Sequence, residues 1–199
     1  MQLQQRIFVG LDIDEAIRDR IRTFMDGVRG FAPDARWVQP ESLHVTLKFI
    51  GEKSAEAVEA IKKALAGVRG EAIETGIRGF GFFPGAKSPR VFWIGIESGP
   101  QLATLAQAVD EATSALGIPK EEHAFSPHLT LARGGRGSGA PQRQKGDGPN
   151  AQFKKLQERL AAMPPLEFGT MTSREFFLYE SHLLRGGSRY TKIARFPLQ

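Results

Sequence analysis

The sequence predicts an α+β fold, with helices covering the outer faces of antiparallel sheets. Three observations lead there. Short β-prone runs alternate with amphipathic helical stretches, the break PGAKSP between two adjacent strands is rich in turn formers, and the order strand, helix, His-x-Thr-Leu strand occurs once in each half of the chain. The 199 residues fit one domain, or two small lobes sharing a core, and are ample to bury an apolar interior.

The elements follow in order. RIFVGLDI at 6–13 reads as a short strand. A helix follows, with Ile17, Ile21, Phe24, Met25 and Val28 at helical spacing, Asp14 near its start and Gly27 and Gly30 near its end. Trp37-Val38-Gln39-Pro40 leads into the strand LHVTLKFIG. Ser54 is the expected N-cap of a second helix, striped by Val58, Ile61, Leu65 and Val68. Strands are expected near Ile73–Phe83 and Arg90–Glu97, separated by the turn formers PGAKSP. Pro100 opens a third helix with Leu102, Leu105, Val109, Ala112 and Leu116 on its inner face. HAFSPHLTLAR is again strand-like. Residues 134–150, GGRGSGAPQRQKGDGPN, lack any large apolar side chain and are expected to form a flexible basic surface loop. A short helix around Gln152–Met163 ends before Pro164-Pro165, and two strands near Phe168–Tyr179 and Tyr190–Leu198 close the chain.

Composition narrows the function classes. Hydrophobic residues make up 41% and charged residues 25%, ordinary values for a soluble globular protein. The absence of cysteine excludes disulfides, thiolate metal sites and a cysteine nucleophile, and fits a cytoplasmic location. No signal-peptide pattern opens the chain and no apolar run is long enough to span a bilayer, so no membrane association is expected. A net charge of +5 and a pI near 9.7 favour a polyanionic partner such as RNA. Gly76–Gly85 lacks the lysine of a phosphate-binding loop, no His/Asp/Glu spacing points to a metal, and no cofactor is expected.

The chemistry rests on two of the four histidines, in His44-Val45-Thr46-Leu47 and His128-Leu129-Thr130-Leu131. Strand side chains alternate between faces. His44 and Thr46 therefore share one face, while Leu43, Val45, Leu47 and Phe49 are expected to point into a core. The second copy behaves alike. If the halves pack about a pseudo-two-fold axis, two imidazoles and two hydroxyls meet around one point, an arrangement suited to a phosphate. The threonines donate to its oxygens, one histidine serves as base on a water, and the other, protonated, serves as acid on the leaving oxygen.

With the flanking segments WVQPESLHVTLKFIGE, PRVFWIGI, FSPHLTLAR and EFFLYES…RYTKIARFPL, and the opening RIFVGLDID, the chain resembles the bacterial and archaeal RNA 2′,3′-cyclic phosphodiesterases of the 2H phosphoesterase superfamily, long called 2′-5′ RNA ligases. The resemblance covers nearly the whole chain apart from 134–150. It implies a single bilobal domain over 1–199, with two pseudo-symmetric antiparallel sheets forming a central basic groove. It implies metal-free hydrolysis of a 2′,3′-cyclic phosphate to a 2′-phosphate. By that resemblance His44 protonates the departing 3′-oxygen, His128 activates water, Thr46 and Thr130 hold the phosphate, and Arg133 contacts it. The expected partner is RNA bearing such an end, tRNA fragments included, or a small cyclic nucleotide, and a monomer is expected.

Other residues weigh less. Strict alternation puts Arg133 opposite His128 and Thr130, so it needs a bulge, or a strand that ends early at Gly134-Gly135, to reach the cleft. Lys48 is in register with His44 and Thr46 and is a candidate second cation, although a surface lysine at the strand end is the preferred reading. Phe8 and Tyr190 could stack on a base, or be core aromatics. Arg90 could line the groove, and His123 and His182 read as surface histidines. Two rival readings remain open: joining of RNA ends through a 2′-5′ bond at the same site, and a non-catalytic nucleotide- or RNA-binding module.

Overall fold

Apolar periodicity decides most of the elements. Strand β1 (Gln4–Leu11) buries Ile7, Val9 and Leu11 on one face. Helix α1 (Glu15–Val28) buries the stripe Ile17, Ile21, Met25 and Val28. The two-residue β2 (Arg36–Trp37) and a 3-10 turn at Pro40–Ser42 lead into β3 (Val45–Ser54). The Ser54 hydroxyl accepts the Ala57 N–H at 3.3 Å and starts α2 (Ala55–Ala66), as its position predicts. Strands β4 (Ile73–Phe83) and β5 (Val91–Ser98) precede α3 (Pro100–Ser114) and β6 (His128–Arg133). Helix α4 (Lys154–Ala161) and strands β7 (Glu167–Ser173), β8 (Glu175–Leu184) and β9 (Gly187–Pro197) complete the chain. This is a computed structural model, and it describes residues 4–134, 151–184 and 187–199. The expected basic loop, Gly134 apart, lies outside the described residues.

Two antiparallel sheets result, a four-stranded one in the order β3-β1-β8-β9 and a five-stranded one in the order β2-β6-β5-β4-β7. In each half, the strand before the crossover helix pairs with the His-x-Thr-Leu strand after it: β1 with β3, and β5 with β6. The helices are exchanged between halves. Helix α1 packs on β7 of the five-stranded sheet, while α2 and α3 pack on the four-stranded one. One continuous apolar core draws on both sheets and all four helices. Each fully buried Leu, Ile or Phe in it contributes about 1.5–3 kcal/mol. Strands β3 and β6 touch where the sheets meet, so the helices hold the two motif strands side by side.

The structure departs from the sequence reading at both ends of this frame. The segment expected as one strand near Phe168–Tyr179 is two, broken at Arg174, with β7 in one sheet and β8 in the other. Apolar residues recur on both sides of the break, so periodicity does not reveal a change of sheet. Leu116 lies beyond the end of α3 and is exposed, not on its inner face.

Candidate active site

Each motif strand carries an extra residue just after its threonine, and β3 carries a second at Ile50, between the partners of Ile7 and Phe8. Val9 of β1 is opposite Lys48 and Gly10 is opposite Thr46, so Leu47 is extra in β3. Phe92 of β5 is opposite Ala132 and Trp93 is opposite Thr130, so Leu131 is extra in β6. The bulges after the threonines occupy equivalent places in the two copies. Each reverses the inside-outside alternation for the residues that follow. In β6, Leu131 and Ala132 are both buried and Arg133 returns to the face of His128 and Thr130. Of the two routes expected for Arg133 the bulge is the one taken, and β6 runs through Arg133.

The same device overturns two expectations for β3. Phe49 is not in the core: it is 47% exposed and opposite Phe8, on the groove face. Lys48 is neither a groove cation nor a surface lysine. It is buried, with Nζ paired to the Asp110 carboxylate of α3 and donating to the Pro119 carbonyl at 2.7 Å. The Asp110 carboxylate also accepts the Glu121 N–H. This cluster ties β3 to the segment that leads into His128.

The two histidines are held identically. His44 Nδ1 lies 2.8 Å from the Ser42 carbonyl, and His128 Nδ1 lies 2.8 Å from the Ser126 carbonyl. A carbonyl only accepts, so Nδ1 carries the proton and Nε2 is left for chemistry in the neutral ring. His44 packs against Phe8 at 4.5 Å, edge-on to Tyr190 at 4.9 Å, with Tyr179 at 6.0 Å. His128 stands edge-on to Phe83 at 4.9 Å, with Trp93 at 6.1 Å. Two glycines allow close packing around the site. A Cβ on Gly10 would meet the Val45 carbonyl oxygen at 2.8 Å and the His44 ring at 3.6 Å, and one on Gly81 would overlap the Trp93 ring.

The charges of these side chains reach one another. Burial pulls His44 down to about 4, against the Ser42 hydrogen bond, and the charges of Arg133 and His128 push the same way. Burial also lowers His128, against its bond to Ser126 and reinforced by Arg133. One guanidinium is thus felt by both imidazoles. Arg133 itself is lowered by burial and by the charges of Arg36 and Arg6, while Tyr190 opposes. The hydroxyls of Thr46 and Thr130, both half-buried, have no hydrogen-bond partner among the described residues. Strand register thus puts Thr46 on the face of His44, and Thr130 and Arg133 on the face of His128, with the charge of Arg133 reaching both imidazoles. Among the described residues no group of His, Asp or Glu side chains is placed to hold a metal.

The model of the LigT-like phosphoesterases matches this chain twice, over residues 11–93 and 94–190. The chain belongs to that family. The LigT-like repeat is thus the duplication seen in the sheets. Among its relatives, the RNA 2′,3′-cyclic phosphodiesterase of Methanothermobacter thermautotrophicus is 31% identical, over 98% of this chain and 100% of its own. That of Escherichia coli K12 is 28% identical over 100% of this chain and 99% of its own. The crystal structure of E. coli LigT complexed with 3′-AMP superposes with a TM-score of 0.76 at 28% identity, covering 98% of this chain and 99% of that one. The LigT-like fold is therefore the bilobal α+β arrangement expected from the resemblance.

Several groove residues were not singled out from sequence. Tyr179 is buried beneath His44, and its hydroxyl has no partner among the described residues. Burial, with the charge of Asp12 adding to it, raises its pKa so far that it stays a neutral donor. Trp93 and Phe83 frame His128. Phe8 and Tyr190 form a small aromatic cluster with Phe177 and Tyr179, separate from the main core. A signal for the histidine geometry was present: both motifs read Ser-x-His-x-Thr-Leu, and the serines supply the carbonyls. His182, 3.7 Å from Glu180, and His123 are both exposed. No helix among the described residues is long and apolar enough to cross a membrane.

Proposed function

We propose that this groove hydrolyses the 2′,3′-cyclic phosphate at an RNA end to a 2′-phosphate; relatives named RNA 2′,3′-cyclic phosphodiesterases support the hydrolysis. The observation that carries the reading is the matched pair of imidazoles, each held through Nδ1 by the carbonyl two residues before it, with one guanidinium felt by both. His128 Nε2 removes a proton from water as its oxygen forms a bond to phosphorus. His44, protonated, gives its proton to the 3′-oxygen as the phosphorus–3′-oxygen bond breaks. Exchange with solvent then returns both rings to their starting states. The difference between the two surroundings supports this division. The hydrogen bond of His128 lies on the exposed side, where water has access, and His44 is enclosed by three aromatic rings. The substrate's negative charge raises this imidazole from about 4 towards neutrality, where it can both carry a proton and give it up. Thr46 and Thr130 donate to the non-bridging oxygens, and Arg133 stabilises the charge that grows on them.

The test is a product assay on an oligonucleotide ending in a 2′,3′-cyclic phosphate, run with and without a second strand bearing a 5′-hydroxyl. Hydrolysis to a 2′-phosphate is expected. A 3′-phosphate would reverse the geometry at phosphorus, joined product would favour ligation, and tight binding without turnover would favour a binding module.

A further inference from the structure

Phe49 is an exposed phenyl ring on the floor of a catalytic groove. The bulge at Leu47 puts it there, since strict alternation would have buried it. Its face is covered by a charge: the Arg6 guanidinium lies 5.0 Å from the ring centroid. Arg6 is two residues before Phe8 on β1, so it shares the groove face with Phe8, Gly10 and His44. On the other sheet Arg36 of β2 is directly opposite Arg133 of β6 and shares its face. The charges of Arg6 and Arg36 both reach Arg133. Phe49 and Arg6 thus lie beyond Thr46 along β3 and β1, next to two further guanidinium groups.

The other side of His44 differs. There a cavity of about 930 Å³ opens at the start of β3, lined among others by Asp12, Glu41, Arg18, Arg22 and Lys192. Three of its four cations are already engaged, Arg18 and Lys192 with Asp12 and Arg22 with Glu41, and the four, Arg189 included, are matched in number by Asp12, Asp14, Glu15 and Glu41. A phosphodiester chain gains little from such a neutralised wall. The arginine side attracts it, and a flat ring among guanidinium groups is the chemistry that binds single-stranded nucleic acid.

We propose that Phe49, Arg6 and Arg36 form a subsite for the RNA strand that leads to the reacting end, with a base stacked on Phe49 and backbone phosphates against the two guanidinium groups. This rests on the cyclic phosphodiesterase reading and makes the groove an enzyme for RNA ends over free cyclic nucleotides.

The experiment compares kcat/KM on a nucleoside 2′,3′-cyclic phosphate and on a short oligonucleotide with the same terminal residue, for wild type, Phe49→Ala and Arg6→Gln. Wild type should prefer the oligonucleotide. Phe49→Ala should lower oligonucleotide kcat/KM by about five- to a hundred-fold, the range for loss of one base stack, and leave the mononucleotide value within about two-fold. A fluorescent oligonucleotide with a 2′-phosphate end gives a second readout. Each arginine removed should lower its log–log salt slope by about 0.7. Equal losses on both substrates, or unchanged oligonucleotide turnover in Phe49→Ala, would overturn the subsite. If wild type opened neither substrate, the phosphodiesterase reading would fall, and the binding assay would still decide the subsite: equal oligonucleotide affinity in wild type and Phe49→Ala refutes it.

Discussion

Phosphate binding should recharge His44. In the protein alone, burial and the neighbouring Arg133 charge hold this imidazole near 4, so at pH 7 only about one molecule in a thousand carries the extra proton. An acid catalyst with that population would be nearly useless. The substrate supplies the remedy. A unit negative charge about 4 Å away interacts with the imidazolium by about 4 kcal/mol at an effective dielectric of 20. That is worth about three pH units. His44 should therefore titrate near 7 in the complex. The assay is an NMR titration of the histidine Cε1 protons, without ligand and with a saturating nucleoside 2′-phosphate. Kinetics provide a second measure, because kcat/KM reports the enzyme alone and kcat reports the complex. The loss of kcat at high pH should begin two or more pH units above the corresponding loss of kcat/KM. A His44 resonance that titrates near 6.5 without ligand, or stays below about 5 with it, would refute the reasoning.

Three further expectations test the machinery. His44→Ala and His128→Ala should each lower kcat by about 10²–10⁴ with an unchanged circular dichroism spectrum, and an active variant of either would remove that residue from the acid–base pair. Lys48→Met leaves the Asp110 carboxylate with only its Glu121 bond, at a cost of about 2–4 kcal/mol, or a Tm lower by about 5–12 °C for a chain of this size. Asp110 is held below its ordinary 3.8, so this contribution is complete above that value and is lost as pH falls through the lower folded one; the Tm gap between wild type and Lys48→Met should close in acid, and a gap constant with pH would refute the pairing. Gly10→Ala drives a methyl group to 2.8 Å from the Val45 carbonyl and should lower kcat at least ten-fold by shifting the His44 strand, with unaltered kcat showing that the strand yields elsewhere.

The site was legible in the sequence to the extent that it is local. A duplicated His-x-Thr-Leu on β-prone runs fixes which side chains share a face for three residues, and that was enough to pair His44 with Thr46 and His128 with Thr130. Beyond Leu47 and Leu131 the same rule fails, because a bulge depends on the strand alongside and leaves no mark of its own in the bulged segment. Phe49 and Lys48 were misplaced for that reason. The fold class and most helix stripes were legible because a helix buries a face that its own spacing defines. The division at Arg174 was not, since one more apolar run fits either sheet. Tyr179 and Trp93 were hidden for a similar reason: an aromatic on a strand looks the same in sequence whether it floors a groove or fills a core.

The exchanged helices and shared sheets carry a consequence for the chain as a thread. Cut between Ser98 and Pro100, the first part would own β1 and β3 of one sheet and β2, β4 and β5 of the other, while β6, which belongs between β2 and β5, would lie on the second part. Neither part retains a complete layer, and each contributes one of the two histidines. The two copies are thus laced together like the fingers of clasped hands. Their mutual distance is set by the weave itself, since sheets and core are shared between them.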